Sequence, residues 1–180
     1  EVVGIYISGH PLDDYKFEMK YFCNAKLESL KNLEQHLGKN LSFGGIVTNV
    51  QHRTAKNGKG WATFVLEGYD ESYEFRIFDE EYLKYRHFLL QNQFVYFKIN
   101  VKEGWVNRET GKKSDPRIQF LDAKMLADVL PTFAKKLFIH LDIKDLHSNF
   151  VTQLNELFAA NVGDNSVTFE VMELERIKKV

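Results

Sequence analysis

Cysteine is almost missing from this chain. Cys23 is the only one in 180 residues, which excludes an internal disulfide framework and a cysteine-based zinc site. Its neighbours Tyr21, Phe22 and Leu27 suggest a small buried thiol rather than a nucleophile. No apolar run approaches the roughly 20 residues that a membrane helix needs, so no membrane partner is expected. There is no internal repeat, no low-complexity stretch and no signal peptide. A cytoplasmic, reducing location is therefore expected. The first residue is Glu1 rather than Met, which suggests an excerpt of a longer protein. Excess charge of either sign is also lacking: 24 basic and 25 acidic residues give a net charge of -1. Taken alone, that balance argues against a nucleic-acid binder.

Enzyme signatures are mostly absent as well. The chain has no Gly-x-x-x-x-Gly-Lys-Ser/Thr phosphate loop and no Gly-x-Ser-x-Gly elbow. Its six histidines, among them His10, His140 and His147, show no close metal-ligand spacing. The acidic run Asp79-Glu80-Glu81 stands at a helix start, where the macrodipole explains it. No catalytic residue, metal or cofactor is expected.

What is present is a soluble globular composition, 44% hydrophobic and 27% charged, with three successive patterns. Residues 1–40 form a helical lead-in. Pro11 suits a first helical turn, so Leu12 to Tyr21 is expected to be helical. Leu27, Leu30, Leu33 and Leu37 suggest one face of a further helix, which Gly38 stops. From residue 41 the period changes to two. A long strand bending at Gly44 and Gly45 leads through the turn Lys56–Gly60 to strands at 61–67 and 73–78. A helix over 79–90 precedes strands at 93–101 and 117–125, which are joined by a long polar loop holding Trp105. After Pro131, a strand, an apolar helix containing Phe150, Leu154 and Leu157, and a second strand form a unit of about 45 residues. That size is small for independent stability.

The predicted class is therefore mainly β with α+β additions. A five-stranded OB-fold barrel over 41–126 follows the helical lead-in, and a small strand-helix-strand unit occupies 127–180. Charge divides along the same lines: 5 basic against 6 acidic residues in 1–40, 13 against 11 in 41–126, and 6 against 8 in 127–180. The excess of +2 lies in the middle segment, in two loops. The first holds Arg53, Lys56 and Lys59. The second holds Lys102, Arg108, Lys112, Lys113 and Arg117. In an OB fold such loops flank the face of strands two and three, where oligonucleotides bind. Bases stack on aromatics there while cations track phosphates. The candidate contacts are Arg53, Lys56, Lys59, Lys112 and Lys113 for phosphates, and Trp61, Tyr73 and Arg76 for stacking or cation–π contacts. Half of the strand aromatics must face inward. Sequence alone leaves open whether Trp61, Thr63 and Val65 or Ala62, Phe64 and Leu66 form the wet face.

Two stretches carry a resemblance. Residues 4–15, Gly-Ile-Tyr-Ile-Ser-Gly-His-Pro-Leu-Asp-Asp-Tyr, resemble the Gly-x-Tyr-x-Ser-Gly-His-Pro-Leu-x-x-Tyr signature of the alpha subunits of bacterial DNA polymerase III, the C-family replicative polymerases. Gly44-Gly45-Ile46-Val47, Lys56 to Ala62, Leu66-Glu67, Glu74, Phe78 and Tyr82 are similar in order and spacing to that family's OB domain. Together the two cover residues 4 to about 126. Trp61 stands where Met is usual, and Gly68 where Asp is usual. The resemblance implies a DNA-directed DNA polymerase as the parent chain, with its catalytic aspartates upstream. It implies that this segment is a non-catalytic module binding single-stranded template DNA and aiding replisome assembly. The alternative is a protein-interaction module contacting the clamp-loader tau subunit or the sliding clamp without DNA binding of its own.

Overall fold

A computed structural model describes residues 9–106 and 109–172. Gly4 to Ser8 of the signature and Arg108 of the second basic loop lie outside the described residues. The chain divides into two units between Leu130 and Pro131.

In the first unit the alternating pattern produces five strands: β1 (Asn40–Thr54), β2 (Gly60–Glu67), β3 (Ser72–Phe78), β4 (Phe94–Lys102) and β5 (Arg117–Met125). They form one antiparallel sheet in the order β3-β2-β1-β4-β5. β1 is long enough to serve two neighbours. Its first half, from Asn40 to Ile46, pairs with β4, and its second half, from Ile46 to Thr54, pairs with β2. The glycines sit at the changeover. A Cβ on Gly45 would strike the Glu67 carbonyl oxygen, and one on Gly44 would strike the Met19 side chain. Only glycine lets β2 and the lead-in approach β1 so closely.

Which face of β2 is buried is now fixed. Ala62, Phe64 and Leu66 are fully buried, as are Phe75 and Ile77 of β3 and Phe97 and Ile99 of β4. Phe64 stacks on Phe75 with ring centres 5.4 Å apart and also meets Phe97 and Phe120. Phe75 of β3 meets Phe120 of β5 edge-on at 5.7 Å. The two outermost strands of the sheet therefore share one aromatic core, so the sheet curls over itself.

Helix α1 (Lys16–Phe22) follows a 3-10 turn over Pro11–Tyr15. His10 and Asp13 form a reciprocal cap on that turn. The expected helix through Leu27–Leu37 is instead two short 3-10 turns, Leu27–Lys31 and Leu33–His36. Asn32, at φ −128° and ψ 81° and so non-helical, separates them. Leu27 and Leu30 are buried as expected, but a spacing of three suits a 3-10 turn as well as an α-helix. Glu71 caps the first turn by accepting from the Leu27 and Glu28 amides, at 2.9 and 3.1 Å. Cys23 is partly buried, and burial pushes its thiol up to about 12, so it remains a protonated packing group.

Helix α2 (Asp79–Tyr85) is shorter than expected and runs on as a 3-10 turn over Arg86–Phe88. It ties the outer strands together. The Tyr85 hydroxyl donates to the Leu121 carbonyl at 2.6 Å, and the Phe120 amide donates to Glu81 at 3.2 Å. Helix α3 (Leu126–Phe133) was not expected, because Pro131 reads as a break. Here Pro131 lies inside the helix, while Leu126 and Val129 are buried.

The second unit contains β6 (Lys136–Asp142), helix α4 (Ser148–Ala160) and β7 (Ser166–Met172), with β6 and β7 parallel. Phe158 of α4 meets Phe169 of β7 at 6.0 Å. Leu137, Phe138, Leu157 and Val171 stay about half exposed. No helix among the described residues is long and apolar enough to cross a membrane.

Candidate nucleic-acid interface

Strand alternation forces one consequence of the buried face. With Ala62, Phe64 and Leu66 inward, Trp61, Thr63 and Val65 point outward. The pairing register sets Arg53 of β1 opposite Trp61 of β2, and Trp61 opposite Phe78 of β3. These three side chains form a continuous row. The Arg53 guanidinium lies 5.4 Å from the centre of the Trp61 ring. Trp61 stacks on Phe78 at 5.6 Å with the planes 19° apart. Phe78 is 52% exposed. The register two residues further along sets Arg76 of β3 opposite Thr63 of β2, and Thr63 opposite Gln51 of β1.

The β1–β2 turn rises beside this row. Gly58 takes φ +80°, and Asn57 accepts the Lys59 amide at 3.1 Å. Gly60 lies flat against the Tyr82 ring, where a Cβ would clash. Lys59 reaches Asp79 at 3.0 Å, with both side chains about half exposed. Arg76 lies 3.6 Å from Glu74. Exposed pairs of this kind contribute about 0–1 kcal/mol, so neither cation is firmly tied to its acid.

The β4–β5 loop folds back as a small hairpin. Val106 bridges Lys113, and Trp105 and Ser114 exchange hydrogen bonds of 2.8 and 2.9 Å. Lys113 pairs with Glu103 at 3.0 Å. Lys112 follows Gly111, which takes φ +68°, and is exposed.

A groove of about 910 Å³ lies between this hairpin, β3 and the start of α2. Lys59, Tyr73 and Arg76 line it, so the structure brings three predicted residues together there. Arg53 and Trp61 join it through the stack on Phe78. Lys56 stays on the turn, and Lys112 and Lys113 stay on the hairpin. Tyr73 differs from Trp61. It shares the side of Phe75 and Ile77, meets Phe75 edge-on at 4.8 Å, and its hydroxyl is pushed up by burial. It forms part of the groove floor rather than an outward platform.

Sequence reasoning did not single out four members of this site. Phe78 was read as the end of a strand and as part of the family resemblance. Trp105 was left in the long loop and Arg117 was counted among the basic residues there without a contact role, yet both line the groove, and the Arg117 guanidinium lies 4.6 Å from the Trp105 ring centre. Glu81 is held up from the ordinary carboxylate range by burial, which the Phe120 amide and Arg117 partly offset. Among the described residues no group of three His, Cys, Asp or Glu is placed to hold a metal.

No family model matches the chain. Among curated proteins it is similar to DNA polymerase III subunit alpha of Saccharopolyspora erythraea, 30% identical over 110 residues, covering 59% of this chain and 9% of that protein. The Borreliella burgdorferi subunit is 33% identical over 96 residues, covering 53% and 8%. The Campylobacter jejuni subunit is 26% identical over 191 residues, covering 98% and 15%. The chain thus spans a small part, between 8% and 15%, of the length of these relatives.

Proposed function

We propose, from the premise that the chain is homologous to a segment of the DNA polymerase III alpha subunits, that it is a non-catalytic module gripping single-stranded template DNA for a cytoplasmic replicative polymerase. In this reading residues 41–126 are an OB-type barrel. Support comes from the strand order, the doubly paired β1, and a helix between β3 and β4. The aromatic core shared by β3 and β5 adds to it. The polymerase's catalytic residues belong to other segments.

The observation that carries the reading is the outward-facing Arg53–Trp61–Phe78 row, whose two ends are exposed and whose central indole is partly buried. Stacked aromatics suit bases, which all present a π-face. Lys56, Lys59, Arg76 and the hairpin lysines Lys112 and Lys113 supply cations for the intervening phosphates. With acidic partners on several of these cations, the isolated module should bind weakly, at micromolar Kd or poorer, and gain from neighbouring domains by avidity.

Fluorescence anisotropy of a labelled oligonucleotide against salt tests this. Affinity should fall between about 50 and about 200 mM salt. Lys56→Ala/Lys59→Ala should reduce the log–log slope by about 1.4, the value for two phosphate contacts on a single strand. Affinity independent of salt would refute the proposal.

A second reading concerns the second unit. Its half-exposed Leu137, Leu157 and Val171 support a protein-interaction role, with the clamp-loader tau subunit or the sliding clamp as partner. Leu157→Glu, on the exposed side of α4, should then abolish capture of that partner in a pull-down while leaving DNA binding unchanged. Unchanged capture would remove this reading.

A further inference from the structure

The groove beside β3 differs in character from the outward row. Its lining includes Glu74, Asp79, Glu80, Glu81 and Asp115 against Lys59, Arg76 and Arg117. Five acids against three bases leave it net negative, so a phosphate is disfavoured inside it. Its aromatic content is high and unusually exposed. Phe78 forms part of one wall, and Trp105, at 71% exposure, forms part of the hairpin side. The hairpin holds Trp105 in place through the paired hydrogen bonds to Ser114 and the Arg117 guanidinium against its ring. A Cβ on Gly104 would collide with the Ser114 backbone, so the chain is closely packed next to this tryptophan. A large aromatic side chain fixed at its backbone and left in solvent costs ordering entropy and exposes apolar surface.

We propose that Trp105 is a second base-stacking station, and that the groove between the β4–β5 hairpin and β3 takes one unstacked nucleobase while the phosphates remain outside. This rests on the single-strand reading above and adds to it. The strand would cross the Arg53–Trp61–Phe78 row, with its phosphates near Lys56 on the exposed β1–β2 turn, outside the groove, and turn a neighbouring base toward Trp105. A neutral planar base fits a groove that is negative and aromatic, whereas a phosphate does not.

The chain has two tryptophans, which makes the test direct. In Trp61→Phe, Trp105 is the sole indole reporter. Its emission should be quenched by an oligothymidylate and left unmoved by an abasic strand of equal length, which keeps the phosphates but has no bases. In the wild-type background, Trp105→Ala should weaken oligothymidylate binding about 5- to 150-fold. Its salt slope should be unchanged, because no phosphate contact is lost. Trp105→Phe should recover most of the affinity. Trp105 emission that does not respond, while anisotropy shows that the Trp61→Phe protein itself binds the oligonucleotide, overturns the second station and leaves the single-strand reading standing. Equal quenching by the abasic strand also overturns it, since phosphates alone would then account for the signal. Failure of the wild-type protein to bind any strand overturns both.

Discussion

Phe64→Ala is expected to be the most destabilising single truncation in the first unit, costing about 3–5 kcal/mol. Phe64 is completely buried and touches rings from three other strands: Phe75 of β3, Phe97 of β4 and Phe120 of β5. Removing it deletes the apolar area and leaves a cavity whose walls are strands, which relax little because their backbones are held by ladder hydrogen bonds. The loss compares with a whole-domain stability of about 5–15 kcal/mol. Urea unfolding followed by tryptophan emission should show a large drop in midpoint with little change in slope. Phe64→Leu, which keeps much of the volume, should cost distinctly less. A loss below about 1 kcal/mol for alanine would mean that the four-ring cluster does not hold the curled sheet together.

That cluster also marks the limit of what the amino-acid sequence displays. The strands from residue 40 to 125 fall within about a residue of the alternation that predicts them, because Val, Ile, Phe and Tyr at period two are bounded by the Asn57-Gly58 and Gly68 turns. The wet face could not be chosen because both sides of β2 are apolar: Trp61 and Val65 on one, Phe64 and Leu66 on the other. The choice depends on non-local partners. Phe64 finds three rings across the sheet, whereas Trp61 meets Phe78 and Arg53 on the outward side. The same reason hides the partners of the cations. Lys59 and Asp79 are twenty residues apart and meet only once β2 and β3 have paired. Arg117 and Trp105 are brought together by the hairpin closure at Ser114. Helices fared worse, since leucine spacing does not distinguish a 3-10 turn from an α-helix. Pro131, inside α3, resembles a stop signal when read alone.

The net charge of -1 takes on a narrower meaning in this light. It does not exclude a nucleic-acid site, because cations and acids are interleaved around one outward row rather than separated. Affinity in such a site must come largely from stacking, and this sets the second large expected effect. Trp61→Ala/Phe78→Ala should abolish measurable binding by the isolated chain. Each stacked base contributes about 1–3 kcal/mol, and a micromolar complex holds only about 8 kcal/mol in total. Either single truncation should weaken binding about 5- to 150-fold. The double should fall short of the product, because the two rings touch at 5.6 Å and each supports the other. Thermal melting must accompany the titration, since Trp61 is partly buried and its loss removes some packing as well. The salt slope separates the mechanisms: aromatic truncation should lower affinity at every salt concentration and leave the slope alone, unlike Lys56→Ala/Lys59→Ala. Trp61→Met is the more pointed variant, because methionine is the usual residue there in the polymerase family that this chain resembles. It keeps the apolar bulk but removes the platform beneath Arg53 and beside Phe78. Its affinity should lie between that of the wild type and Trp61→Ala. Wild-type affinity in Trp61→Met would mean that the indole ring contributes nothing as a stacking surface, and the proposal that the outward row holds a single strand would fall with it.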